Sequence, residues 1–491
     1  MNRLCGGNDC VDTTDEAAES RARWVVLVIC CMSLLVASLD VSAVNVALPA
    51  IRRDLGASIA GLQWTVDGYT LVLATLLILS GSLADRFGRR RIFLVGLALF
   101  VIGSLLCSLA STLGWLVGFR MVQAVGGSML NPVALSIISN TFTDAAERAR
   151  AMGVWGAVVG VSLALGPVVG GTLVSTIGWR SIFWINVPIG FAAIVLARRY
   201  VPESKSARIR RFDPSGQLLV AVSVAALICA IIEGPALGWN SGLIVMLFVA
   251  AAVGGAVLLV VETRRAEPLI DLRFFRSAAF SGATFTAFAS FAALSGFLFL
   301  NSLYLQDERG YSALTAGLLT LPLAVTASVL SPISGRLVAA GLGRVALCVS
   351  GGTIAVGAST LVTLTRDSSL TLLTVAYIVL GAGFGMVNAP VSDASMSDMP
   401  RSKASVAAAI VSTGRQAGAA LGVAVSGSIV AGRTAAGDNL ADATHVVWMV
   451  IAGLGLVVVI LGAVTTTGWA RATAASVRDL LDGEEEHANA I

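Results

Sequence analysis

Four ionisable residues stand inside long apolar stretches of this 491-residue chain: Asp40, Asp67, Arg120 and Arg415. A charge held at the centre of a bilayer costs about 2.5–3.5 kcal/mol on insertion scales, so each needs a reason to be there. Two acids within reach of a guanidinium make a proton switch. Burial favours the neutral carboxyl and a nearby cation favours the carboxylate, so a change of geometry loads or releases a proton. One charge crossing the membrane potential carries about 2.3 kcal/mol per 100 mV, enough to drive work. The plain alternative is a static buried pair that fixes helix packing. For Arg415 the plain alternative is a tie to backbone carbonyls.

The elements that carry these residues set their depth. Asp40 lies in SLDVSAVNVALP and Asp67 in QWTVDGYTLVLA, on either side of a turn near residues 53–54 and equally far from it. In an antiparallel helix pair the two acids lie at similar depth. Arg120 falls seven residues into its helix, ~10 Å at 1.5 Å per residue, level with Asp67. All three are expected to share one polar pocket. A further helix, GVWGAVVGVSLALGPVVGG (153–171), has Gly166 and Gly170 on one face, Gly156 and Gly160 on another, and Pro167 to bend it. Small residues at this spacing let helices approach closely, which serves ordinary packing or a gate.

Spanning helices need about 20 apolar residues, and fourteen such stretches are read, from 24–48 to 444–468. Between the second and third, GSLADRFGRRR (81–91) places Gly81, Asp85, Arg86, Gly88, Arg89 and Arg90 in a tight charged turn. A fainter copy, SPISGRLVAAGLGR (331–344), stands at the equivalent place in a second half, with Ala339 where the first copy has Asp85. The expected plan is all-α: a disordered cytoplasmic tail (1–22), a six-helix bundle (23–202), a basic linker with two inserted helices (203–266), a second six-helix bundle (267–470) and a cytoplasmic tail (471–491). Most of the 33 basic residues collect on one side, heaviest from Arg198 to Arg211, which puts both termini in the cytoplasm. Trp24 and Trp469 then mark inner ends of helices, and Trp64, Trp115, Trp179 and Trp239 outer ones.

Composition excludes much else. The chain is 56% hydrophobic and 13% charged, against about 25% charged in soluble proteins. Only Lys205 and Lys403 are lysine, as a GC-rich bacterial genome would encode. Neither stands in a phosphate-binding loop, so ATP hydrolysis is not expected. Histidines are limited to His445 and His487, too few for metal or histidine catalysis. Cys30, Cys31, Cys107, Cys229 and Cys348 lie in apolar runs as small hydrophobes, and Cys5 and Cys10 in the acidic tail. No enzyme activity, cofactor, metal or nucleic-acid partner is expected, and no connection is long enough for a signalling domain. A secondary transporter in the cell membrane remains, working as a monomer with protons and a small lipophilic substrate as partners.

The pattern closely resembles the major facilitator superfamily, in particular its fourteen-helix drug:proton antiporters. The 81–91 turn is similar to that family's loop signature. Asp40, Asn45 and Pro49 match its first helix, Asp67 an acidic position in its second, and Arg120 and Gln123 its fourth, with Ala124 where Gly is usual. Gly153, Gly166, Pro167, Gly170 and Gly171 resemble the antiporter motif, with Ser162 in place of a usual Gly. GWRSIFWINVPIG (178–190), YLQDERGYSALTAGLLTLP (304–322) and IIEGPALGWNSG (231–242) are similar to stretches in the same group. The resemblance implies two rocking six-helix bundles, a cytoplasmic gate through Asp85 and Arg89, and proton-coupled export of drugs or antibiotics. The alternative is a symporter importing a metabolite with the same buried charges. Helices 9–14 hold no mid-membrane carboxylate, so a monocation or neutral compound is expected over a dication. Glu233 is read as structural or vestibular.

Overall fold

The structure, a computed structural model, describes residues 9–205, 213–265, 271–396 and 404–489. In chain order its helices are α1 (Asp9–Leu55), α2 (Ile59–Phe87), α3 (Arg89–Ser108), α4 (Leu113–Thr141), α5 (Ala145–Thr176), α6 (Ser181–Trp184), α7 (Asn186–Tyr200), α8 (Pro214–Leu237), α9 (Gly242–Thr263), α10 (Ala278–Leu303), α11 (Ala313–Ala339), α12 (Gly343–Thr360), α13 (Leu370–Met386), α14 (Asn388–Met396), α15 (Ala404–Ala435), α16 (Leu440–Thr465) and α17 (Gly468–Asn489). A 3-10 turn, Leu272–Arg276, precedes α10, and a π-helical turn, Tyr304–Glu308, extends it. Helix starts follow side-chain chemistry. Ser58, Thr112, Asp144, Asp213, Ser241, Ser312, Ser369 and Asn439 each accept a backbone N–H of the first turn, which answers groups the helix cannot satisfy itself.

Among the described residues, 12 helices are long and apolar enough to cross a membrane. The stretches expected at 345–364 and 404–431 form α12 and α15, which are not among the twelve. Both exchange apolar bulk for small and polar residues. α12 carries Arg344, Ser350, Gly351, Gly352 and Thr353, and α15 carries Arg415 and Gln416 among glycines, alanines and serines.

Packing repeats between the halves. α1 packs on α5 and α7, α3 on α4 and α7, and α2 on α4. In the second half α10 packs on α15 and α16, α12 on α13 and α16, and α11 on α13. With α7, α15 and α16 counted as the sixth, fifth and sixth spans of their halves, the pairings are the same. The halves meet along two seams, α5 with α11 and α2 with α15, and α8 lies against both α2 and α15.

Consecutive spans run antiparallel, so two faces result. On the turn face Trp179 and Arg180 donate to Asp54, and Arg180 reaches the Ala110 carbonyl. On the loop face the backbone N–H of Arg89 donates to the Ser204 carbonyl.

Both tails carry helix. α1 begins at Asp9, inside the stretch expected to be disordered, where Glu16, Ala17, Ala18 and Glu19 are strong helix formers. The chain after residue 470 is helical through Asn489, and α17 buries Ala470, Ala474 and Val477. Cys5, Lys403 and most of the basic linker lie outside the described residues.

Candidate functional site

Asp40 on α1 and Arg120 on α4 are each 1% exposed and form an ion pair. Gln123, on the next turn of α4, accepts from Arg120 Nη1 at 2.8 Å. Its amide donates to Asp40 Oδ1 at 2.9 Å and to Ser104 Oγ at 2.7 Å. Asn186 of α7 donates to the same Asp40 oxygen at 2.8 Å. Arg120 Nε donates to the Thr65 carbonyl at 3.3 Å, and the guanidinium lies 4.2 Å from the centre of the Tyr69 ring. Close approach of α3 and α4 allows this: a Cβ on Gly103 would fall 2.6 Å from Gln123 Cα. The carboxylate has a cation and two amide donors, and the cation has an anion, two further acceptors and an aromatic face. A node with every member satisfied is rigid and specific. It joins α1, α2, α3, α4 and α7.

Asp67 does not join it. The carboxyl is 0% exposed, and neither oxygen has a hydrogen-bond partner. Its neighbours one turn either way define its direction. Gln63 donates to the carbonyls of Val423 and Ala424 on α15, and Leu71 packs with Ala420, Ala424 and Ile228. Asp67 therefore sits on the α2 face turned to the α15 seam and to α8. Depth alone put it with Arg120, but rotation about the helix separates them.

Arg415, on α15, donates to Ser392 Oγ at 3.4 Å and lies over the Phe291 ring. Its Nε is buried without a partner.

At the loop face, Gly88 takes φ 109°, a conformation glycine alone adopts readily. A side chain there would also strike the Glu203 carboxylate. Glu203 accepts from the Arg90 backbone N–H at 3.1 Å and lies 3.6 Å from Arg91 Nε, an anion at the start of α3. Arg89 pairs with Asp85 at 3.1 Å within the same turn. Arg86 stands over the neighbouring Phe87 ring, and Gly81 has open space where a side chain would go. Among the described residues, the charged partners of this turn are Asp85 within it and Glu203 at the head of the linker, none from the second half.

The α5 glycines divide by partner. Side chains on Gly166 and Gly170 would strike Ser42 and Ala43 of α1, whereas one on Gly171 would fall 2.5 Å from the Ala313 carbonyl on α11. The Pro167 carbonyl lies against Gly317, so backbone meets backbone across the seam. Gly153 has nothing near it.

Polar ties between the halves gather towards the turn face. Arg52 pairs with Asp307 at 3.2 Å, and Gln306 donates to the Val46 carbonyl at 2.8 Å, both from the π-helical turn. Gln63 adds its two bonds to α15, and Ser328 reaches the Gly160 carbonyl at mid-depth. Sequence reasoning did not find Glu203, Gln306, Asp307 or Asn186. Glu203 had a signal, as a lone acid in a basic stretch. The π turn had none.

Residues 30–423 match the family described as Major Facilitator Superfamily. The chain is 37% identical over 412 residues to multidrug resistance protein Stp of Mycobacterium tuberculosis, covering 84% of this chain and 76% of that protein. It is 35% identical over 427 residues to the tetracenomycin C resistance and export protein of Streptomyces glaucescens, covering 85% and 78%. Among solved structures, a D-xylose-proton symporter is similar in fold, with TM-score 0.65 over 91% of this chain and 97% of that one at 14% identity.

Proposed function

The chain belongs to the Major Facilitator Superfamily, and on that premise we propose that it exports lipophilic drugs or antibiotics by alternating access in exchange for protons. Relatives that carry resistance and export in their names support the cargo class. The observation that carries the coupling is Asp67, a carboxyl buried at the seam between the halves with no partner for either oxygen. Such a place tolerates the neutral acid, because an isolated buried charge is costly. Cargo loading from the loop face displaces that proton to the same side, and rocking then opens the α2–α15 seam at the turn face, where cargo leaves and a proton from that side reloads the carboxyl. Arg415, on α15 and without an anion among the described residues, is a second buried charge available to the transport cycle. The satisfied Asp40–Arg120 node holds the first half rigid while it rocks.

In this reading the chain crosses a plasma membrane fourteen times with both termini cytoplasmic. α12 and α15 stand where α3 and α5 stand in the first half, and Arg86, Arg89, Arg90, Arg91, Arg198 and Arg199 gather on the loop face. Ties at the turn face then mean a cavity open to the cytoplasm, ready to load. The Asp85–Arg89 turn engages the second half only in the opposite conformation.

Everted vesicles test the coupling. With the vesicle lumen made acidic, so that protons run outward, the native protein accumulates drug, and Asp67→Asn inserts normally but abolishes that accumulation. Normal pumping by Asp67→Asn removes the reading, and loss of drug on energising favours import.

A further inference from the structure

The inserted helix α8 carries one carboxylate that the transport reading does not use. Glu233 stands four residues before the end of α8, half-buried, at the turn-face end of the place where α8 meets α2 and α15. Its Oε1 accepts from Trp64 Nε1 at 2.8 Å. That donor is neutral, and among the described residues Glu233 has no cation. The next residue, Gly234, is covered by the Trp239 indole: a Cβ there would fall 2.5 Å from the ring. Beneath lie Leu71, Ile228 and Ile232.

We infer that Glu233, Trp64 and Trp239 form a binding site for a lipophilic organic cation. A membrane carboxylate without a counter-charge calls for one. Indole faces attract cations most strongly when water is scarce. The apolar floor favours a cation whose charge is wrapped in hydrocarbon over a hydrated metal ion. Trp64 precedes Asp67 by three residues on α2, ~4.5 Å along the axis. A cation leaving Asp67 towards the turn face thus meets Glu233 next. The binding site stands independently of export; only its use as an exit station rests on that reading.

Tetraphenylphosphonium is the test probe, and triphenylphosphine oxide its neutral counterpart, each titrated by tryptophan quenching on full-length protein in nanodiscs. The native protein binds the phosphonium saturably. Glu233→Gln weakens it about tenfold or more, as loss of one such charge contact predicts, and leaves the neutral probe unchanged. Glu233→Asp keeps most of the affinity, and Trp64→Phe loses part of both the quenching and the affinity. Unaltered phosphonium binding in Glu233→Gln overturns the site, and so does parallel loss of both probes, which marks a packing defect. Glu233-dependent binding without phosphonium efflux upholds the site and removes its use as an exit station.

Discussion

Replacing Asp40 by asparagine removes the anion paired with a cation that is 1% exposed. The two amides that donate to Asp40 Oδ1 keep an acceptor, but the new NH₂ faces the Arg120 guanidinium, donor against donor. Stranding one partner of a buried pair costs about 3–5 kcal/mol. Arg120→Met strands the carboxylate instead, but Gln123 and Asn186 still solvate it, so the loss falls at the lower end. Asp40→Asn with Arg120→Met leaves no buried charge stranded. The cycle therefore shows a coupling of about 2 kcal/mol or more, near the top of the range for touching residues. Denaturant titration of the purified protein in mixed micelles reads all four corners. The double variant also keeps pH-driven export, because Asp67 is intact. Single losses under about 1 kcal/mol, or additive ones, would refute the closed node. Asp40 would then be free to carry the proton.

Gly317→Val drives a side chain into the Pro167 carbonyl; overpacking of about 1–3 kcal/mol pries α5 from α11, read as slower cross-linking between cysteines at Gly160 and Ser328. Arg52→Glu sets two acids together where a partly exposed pair stood; a loss of about 0.2–1 kcal/mol makes a cysteine at Asn45 more reactive from the turn face, and the added swap Asp307→Arg restores protection. Asp213, just outside the spans, is pushed up by burial, but the Gly216 N–H, the Ser215 hydroxyl and Arg265 outweigh that and hold it below the ordinary carboxylate range. Its stabilisation is present above the ordinary value, about pH 4, and fades as acid takes the pH through the lowered one. Asp213→Asn removes this acid limb, read by protease nicking near the start of α8.

Depth was legible in the sequence and direction was not. Counting residues from turns placed Asp40, Asp67 and Arg120 at one level, and Asp40 does meet Arg120. A helix turns 100° per residue, so Asp67 points about 200° away from Thr65 and from Tyr69, the residues that meet Arg120. Gln63 and Leu71 already held that information, but only if one knew that α15 lay on their side. The charged turn at 81–91 was legible because glycine and arginine act locally. Its partner Glu203 comes from a segment 113 residues beyond Arg90, where only the fold brings it back. α12 and α15 were read as spans in the sequence, yet they are not among the twelve most apolar long helices, because helix contact favours glycine and serine over bulk.

The weakness of the inter-half ties is what an alternating transporter requires. Towards the turn face the polar connections are Arg52–Asp307, Gln306 to Val46 and Gln63 to α15, with Ser328 to Gly160 at mid-depth. At roughly 0.5–1.5 kcal/mol net each, these hold one state by a few kcal/mol in all. Elsewhere the seam includes backbone against glycine, as at Pro167–Gly317 and Gly171–Ala313, and apolar packing, as of Leu71 with Ala420 and Ala424, and such contacts carry no hydrogen bond that must break for the surfaces to slide. Inverting a 99:1 preference takes about 5.5 kcal/mol of differential binding. On the proposed proton coupling, one proton moving through 100 mV supplies about 2.3 kcal/mol of that, and cargo that prefers one state supplies the rest. If a node as fully satisfied as Asp40–Arg120 bridged the seam, one proton could not release it. Its confinement to the first half, with the unpartnered carboxyl of Asp67 at the boundary, separates what the proposed cycle keeps rigid from what it moves.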